Sequence, residues 1–409
     1  MFEIRKKKVK ALQKIPLPKQ RSPEWFAMRN RMITASALAD AIGQSKYKAP
    51  LEFVVEKCGY PSYQDGPATH HGKKFENIIT LIYSERNNVE VLEFGVLPHP
   101  NHDFLGASPD GICSHRTLNG EGTSDMVGRM VEIKCPLSRV IKTDGAIDGD
   151  ICPHYYYLQV QMQLDVCDLD ECDFIQCKIS EYANRTEFIE DTSEDKITSA
   201  TTGLERGCIL QFIPKSKLGC DNCIYKAKYI YPPSASMTLR HINEFIASTL
   251  DGFIEDEFPD IKYDYDNNGK VTDEYIFDKV IYWKVDFMSI TLIKKEPEWL
   301  KTVLHDLRRT WKCVLFYRSD KEKLLELKRI YDRYQTKFAD KKLLVKHSLQ
   351  IMEEYMSTNL ELDTIIDKYF CKPVDKPVDK PMSKIKPKID NDAEYNLKTM
   401  KKKPNPFLD

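Results

Sequence analysis

The sequence predicts an α/β core that ends near residue 182, followed by an α+β portion and a tail that builds no core. Three observations predict this. Phe75, Ile78, Ile79 and Ile82 recur at helical spacing and form one apolar stripe. In Val131-Glu132-Ile133-Lys134-Cys135 apolar and charged residues alternate with the period of a strand. A second alternation, Ile281, Trp283, Val285 and Phe287, lies far downstream within 275–293.

The elements follow in order. Basic residues crowd positions 1–20, which read as a flexible arm with solvated charges. Ser22-Pro23-Glu24-Trp25 sets an N-cap before a proline at the first helical position. A second helix is expected from Thr34 or Ser36 to Gly43, a C′ glycine. A third covers 73–86 and carries the Phe75 stripe. Strands are expected at 89–97, 103–107 and 129–135, a helix at 155–166, and a strand at 172–180. Helix, antiparallel-type strands, helix and strand in that order give the α/β class. Residues 114–128, rich in Gly, Ser, Thr and Asn, read as a surface loop between two core strands.

Beyond the core, 207–212 and 275–293 read as strands, and 297–316 and 321–337 as helices. Trp283, Trp299 and Trp311 each sit in an apolar-periodic segment and are expected in the core. The expected division is a basic arm at 1–20, the core at 21–200, an extension completing or packing on it at 201–370, and a disordered Pro/Lys-rich tail at 371–409.

A chain of 409 residues with 42% hydrophobic content can bury a substantial core. No apolar run is long enough for a bilayer crossing, and the basic start has no apolar leader behind it. Twelve cysteines scattered through a chain of this size fit reduced thiols in an intracellular compartment. A net charge of −1 argues neither for nor against a nucleic-acid partner.

The chemistry gathers between Gly106 and Pro136. Glu132 and Lys134 share one face of a strand, and Asp110 meets them at a turn formed by Pro109 and Gly111. Phosphodiester hydrolysis needs an activated water, neutralisation of developing charge and help for the leaving oxygen. Mg²⁺ held by carboxylates can supply all three. Asp110 and Glu132 are natural ligands, with the carbonyl of Ile133 as a third, and Lys134 is placed to orient water and stabilise charge. Glu76 sits at the margin of the apolar stripe, within reach of a site at the helix–sheet boundary; the same spacing fits an ordinary exposed glutamate. Tyr156, Gln159 and Gln163 share one side of the 155–166 helix, where a glutamine projecting towards the carboxylates could bind water or phosphate. Taken alone, such glutamines are solvated surface residues.

From Arg21 to about Tyr182 these residues resemble the PD-(D/E)XK nuclease superfamily, within it the lambda-exonuclease and YqaJ-like viral recombinase group. The resemblance rests on Ser22-Pro23-Glu24-Trp25 with Arg29, Ile33-Thr34-Ala35-Ser36, Gly72 with Glu76, Ser108-Pro109-Asp110-Gly111, Glu132-Ile133-Lys134-Cys135-Pro136, and 156–163. It implies a restriction-endonuclease-like core, a central mixed sheet flanked by helices. It also implies Mg²⁺-dependent digestion of double-stranded DNA from a 5′ end, with Mn²⁺ as a substitute, in viral DNA recombination or repair. By motif match Asp110, Glu132 and Lys134 form the catalytic trio, with Glu76 and Gln159 beside them. Arg29, Ser36, Ser108 and Arg139, with Tyr156, would contact DNA and its 5′-phosphate. For Ser36 and Arg29 this agrees with anion binding at a helix N-terminus and bidentate phosphate contact. The resemblance adds DNA ends as substrate, a single-strand annealing protein as partner, and a homotrimer. The loop between Asp110 and Glu132 is longer than a minimal hairpin, and the portion past the core resembles the extended form found in large DNA viruses.

Two other readings compete. Cys220 and Cys223, with Cys208 and Cys58, could supply thiolates for an iron–sulfur or zinc site of a related endonuclease. A DNA-end binding protein that has lost its chemistry is the third, and the intact Asp110, Glu132 and Lys134 speak against it.

Overall fold

A sheet with apolar residues on both faces must be covered on both, and the burial along each strand shows which helix covers which face. The computed structural model of the chain describes residues 1–18, 22–59, 66–220, 223–266, 269–337, 341–358, 360–361, 364–365 and 368–369. In chain order these form α1 (Phe2–Gln13), α2 (Pro23–Asn30), β1 (Ile33–Thr34), a 3₁₀ turn (Ala35–Ala37), α3 (Leu38–Ala41), α4 (Pro50–Lys57) and α5 (Pro67–Asn87). There follow β2 (Val91–Leu92), β3 (Leu97–His99), β4 (His102–Ala107), β5 (Gly111–Cys113), β6 (Met130–Lys134), α6 (His154–Val166) and β7 (Glu171–Glu181). The remainder comprises α7 (Arg185–Glu190), β8 (Arg206–Pro214), β9 (Lys228–Ile230), α8 (Leu239–Ile254), α9 (Pro259–Lys262), β10 (Tyr263–Tyr265), β11 (Val271–Lys294), α10 (Trp299–Ser319), α11 (Lys321–Lys337) and α12 (Lys341–Ser357).

The main sheet runs β2-β5-β6-β7-β11-β8-β9, with β10 paired to β11, and a three-stranded sheet runs β1-β4-β3. The main sheet is mixed: β5 and β6 are antiparallel, β6 and β7 parallel, β7 and β11 antiparallel. Strand β11 pairs with β7 along its C-terminal half and with β8 along its N-terminal half, overlapping at Trp283 and Lys284. On β6, Met130 packs into the cluster that holds α6 and α10, while Val131 and Ile133 pack into the one that holds α5. The α/β class with a central mixed sheet between helices is therefore the observed one.

Several elements form for the reasons read in the sequence. Ser22 caps α2, its Oγ accepting from Trp25 N at 3.2 Å. Phe75, Ile78, Ile79 and Ile82 are all fully buried on α5, which starts earlier than expected, at Pro67. Trp283 and Trp299 are buried, and Trp311 stacks on Phe104 at 6.3 Å.

Two expectations are corrected. The basic arm is a helix over Phe2–Gln13 with Val9 and Leu12 buried. Its charges find acidic partners at the start of β7: Arg5 pairs with Asp170 and Glu171, and Lys8 with Asp168 at 3.0 Å. The helix expected from Thr34 or Ser36 is a short strand, a 3₁₀ turn and four α-helical residues. Ile33 and Thr34 are drawn into parallel pairing with Leu105 and Gly106 before any helix can begin. The stretch expected as a disordered tail, 371–409, lies outside the described residues. Among the described residues no helix is long and apolar enough to cross a membrane.

Candidate active site

The site forms where β5 and β6 part. They pair at Gly111–Val131 and Ile112–Met130, and β5 goes no further. At the next free position Asp110 takes over from the main chain: its Oδ2 accepts from Ile133 N at 2.7 Å. Gly111 lets β2 lie close on the other side of β5, since a Cβ there would stand 2.3 Å from Val91 Cγ1. Period-two alternation then puts Glu132 on the face covered by α6, where its carboxylate has no solvent exposure.

A buried carboxylate must be surrounded by donors. Gln159 Nε2 donates to Glu132 Oε1 at 2.6 Å, and Gln163 Nε2 donates to Oε2 at 2.7 Å. Lys134 Nζ donates to Oε1 as well, and lies over the Tyr156 ring, 4.4 Å from its centroid. Both glutamines, which alone would read as solvated, are thus buried for the sake of one carboxylate. Gln163 Nε2 also approaches Ser108 O at 3.5 Å, and its Oε1 is buried with no hydrogen-bond partner.

The charges reflect the crowding. Burial, with Glu132 and Glu76 adding to it, holds the Asp110 carboxyl well above the ordinary carboxylate range. Glu76 is therefore close enough on α5 to act on Asp110. Burial by itself would lower the Lys134 ammonium, but Glu132 and Asp110 outweigh it and hold it above its ordinary value. The side chain of Lys134 is thereby favoured in its ammonium form. Gly72, one turn before Glu76, faces Cys135 O, which a Cβ would meet at 3.9 Å.

The donors available for a metal are the oxygens of Asp110, Glu132 and the Ile133 carbonyl, hard ligands suited to Mg²⁺ and not to soft metals. Among the described residues no group of three or more His, Cys, Asp or Glu side chains is gathered to hold an ion alone. Mg²⁺ does not require such a cage, because it keeps waters and binds through one or two carboxylates plus substrate oxygens. The residues fit that ion.

The residues expected to grip phosphate fall into two places. Arg29 Nη2 donates to Ser36 Oγ at 3.2 Å, and Arg29 stacks on Trp25 with 4.5 Å to the ring centroid. Parallel pairing of Thr34 with Gly106 sends both chains out of the sheet in the same direction, Ser36 on one and Ser108 on the other, two residues on. Ser108 in turn precedes Asp110 by two, which links this pair to the carboxylates. Arg139 lies instead in the loop after β6, beside Tyr155, with Nη2 buried and without a partner. Ser36 is exposed in the 3₁₀ turn and not at the N-terminus of a regular helix.

Sequence reasoning missed Lys57 and Arg318. Lys57 Nζ donates to Arg29 O at 2.6 Å, and burial, with Arg29 and then Arg318 adding, pushes its ammonium down to about 7. Arg318 on α10 donates to Lys57 O and to Asn30 O, clamping the ends of α4 and α2 together. No spacing could have signalled this, since the partners lie far apart in the chain. The proposed thiolate set does not converge: Cys58 packs beside α10, with Sγ 3.7 Å from Val314 O, while Cys208 is buried with Phe188 and Tyr282 in a separate cluster.

A mixed sheet between helices, with Asp110 and Glu132-x-Lys134 at its parting strands, agrees with the resemblance read in the sequence. Comparison with known proteins narrows this. Residues 24–170 match the YqaJ-like viral recombinase domain. It is 41% identical over 328 residues to an uncharacterized protein of Acanthamoeba polyphaga mimivirus, covering 79% of this chain and 57% of that one. It is 27% identical over 172 residues to a protein of African swine fever virus, covering 36% and 46%. With protein YqaJ of Bacillus subtilis it shares 25% over 146 residues, covering 35% and 41%. The chain spans about half the length of these curated relatives. Among solved structures it is similar to an alkaline exonuclease from Laribacter hongkongensis, alone and in complex with dAMP. Both show 23% identity and a TM-score of 0.29 over 38% of this chain, and the matches cover 74% and 73% of the respective structures.

Proposed function

We propose that this chain is a Mg²⁺-dependent deoxyribonuclease that degrades linear double-stranded DNA from its ends, 5′ to 3′, in viral DNA recombination or repair. One observation carries the reading: a fully buried Glu132 ringed by Lys134, Gln159 and Gln163, with Asp110 bonded to the adjoining residue of the same strand. Donors of that number around a single carboxylate serve no packing need that an apolar residue would not meet better.

Asp110, Glu132 and the Ile133 carbonyl would hold the ion, and Glu76 would adjust the charge beside Asp110. When bound, the ion supplies Lewis acidity and a water of lowered pKa. Gln159 and Gln163 keep the Glu132 carboxylate in one orientation. Lys134, an ammonium resting on Tyr156, donates towards the oxygens where charge develops. Arg29 with Ser36, and Ser108 beside them, would hold the 5′-phosphate, and the orphaned N–H of Arg139 would contact the same strand. Mn²⁺ would substitute, having the same preference for oxygen ligands. A single-strand annealing protein and a homotrimer are the further partners the family suggests.

The test is degradation of an end-labelled linear duplex. Digestion in Mg²⁺, none in EDTA, and loss of turnover with retained end binding in Lys134→Ala are the expected results. A Lys134→Ala protein that cuts at the wild-type rate overturns the proposal. Strand-specific labels fix the polarity, and a preference for 3′ ends overturns that part alone.

A further inference from the structure

A run of aromatic rings leads away from Lys134 towards solvent. The Lys134 ammonium lies 4.4 Å from the Tyr156 ring centroid, Tyr156 lies 4.3 Å from Tyr155, and Tyr155 lies 5.3 Å from Tyr47, edge to face. The hydroxyls of Tyr47 and Tyr155 are 3.3 Å apart. Tyr155 and Tyr156 rest on the margin of the main core cluster, as buried aromatic rings commonly do. Tyr47 belongs to none of the core clusters, and 57% of it is exposed. Lys46 stands over both outer rings, 5.0 Å from Tyr47 and 5.5 Å from Tyr155.

The platform is held in place. Tyr47 N donates to Ser45 Oγ at 3.1 Å. His154, the first residue of α6, bonds Gln44 through Nε2 at 2.8 Å and Asp148 through Nδ1 at 2.8 Å, tying the Tyr47 loop to the helix that bears Tyr155. An exposed ring on a fixed mount, with a cation over it, has the elements that bind single-stranded nucleic acid: a π-face for the base and a charge for the backbone. At about 3.4 Å of rise per nucleotide, Tyr155 is within about three nucleotides of Lys134.

We infer that Tyr47 and Tyr155, with Lys46, form a platform that stacks an unpaired nucleobase of the strand whose backbone lies at Lys134. The inference rests on the nuclease reading above and gives that site a way to hold a frayed end. Because stacking does not read base edges, the platform is indifferent to sequence.

The experiment places 2-aminopurine at each of the three nucleotides nearest a duplex end and records its fluorescence with the full chain in EDTA, where nothing is cut. Quenching at one position, lost in Tyr47→Leu and kept in Tyr47→Phe, is the expected result. Tyr47→Leu should also weaken end binding on the order of tenfold, the loss of one stacked base. End binding without quenching at any position overturns the platform, and so does a Tyr47→Phe protein that behaves like Tyr47→Leu. A wild-type chain that binds ends and degrades duplex in Mg²⁺ but shows no quenching removes the platform alone. One that neither binds nor degrades removes the nuclease reading with it.

Discussion

Replacing Glu132 with alanine separates a structural carboxylate from a decorative one. Three donors now point at that group: Lys134, Gln159 at 2.6 Å and Gln163 at 2.7 Å. Without it, two amides and an ammonium lose their acceptor inside the protein. An orphaned buried donor costs about 1–3 kcal/mol, and breaking a buried ion pair from one side about 3–5 kcal/mol. Lys134 keeps Asp110 as a second partner and its side chain is 18% exposed, so the lower end applies: about 3 kcal/mol for the ion pair and about 2 kcal/mol for the two amides, about 5 kcal/mol in all. In Glu132→Ala/Lys134→Met the stranded ammonium is gone, and the loss should shrink to that of the two amides alone, about 2 kcal/mol at the lower end of the range for each. Urea unfolding followed by far-UV circular dichroism measures both, with the slope against urea expected to stay constant. The refuting result is a Glu132→Ala protein within about 0.5 kcal/mol of wild type, the scale of an ordinary surface substitution. A double variant less stable than the single one would refute the account of Lys134.

Further expectations follow from single residues. In Gly106→Ala the new Cβ would stand 2.2 Å from Met32 Sδ and 3.0 Å from Leu97 O, so a loss of about 1–3 kcal/mol is expected by urea unfolding, partly restored by adding Met32→Ala. Burial first, then Lys74, pushes the His71 imidazole down to about 4 from 6.5. The unfolded chain takes that proton earlier as pH falls, so stability present above pH 6.5 is lost towards pH 4. His71→Met should flatten that stretch of the stability–pH curve, and an unchanged slope counts against the assignment. Arg29→Ala should lower binding of a 5′-phosphorylated duplex about tenfold and leave a 5′-hydroxyl duplex unaffected; an equal loss on both would remove Arg29 from the phosphate contact.

Much of this was legible because it is written in local periods. The α5 stripe, the α2 cap, the alternation of β6 and the helices α10 and α11 follow from spacing alone. The helical α1 was not legible, because a basic segment with few apolar residues looks solvated until Asp168, Asp170 and Glu171 meet it from far along the chain. Gln159 and Gln163 were visible as one face of a helix, but not that this face is buried; only the tertiary position of Glu132 decides that. The Ser36 helix failed for a related reason. Pairing with β4 overrode the local capping signal at Thr34.

The strand order has a practical corollary for anyone who would excise the recombinase-like region. A fragment ending at residue 170 stops one residue short of β7, the parallel neighbour against which Glu132 registers with Phe174. Its last strand would present naked amide and carbonyl groups along the very edge that bears Glu132 and Lys134, an invitation to self-association. Extending the piece through β7 only moves the raw edge outward, because β11, much later in the chain, is what covers it. Soluble, monodisperse material is therefore to be sought in pieces that reach at least Lys294.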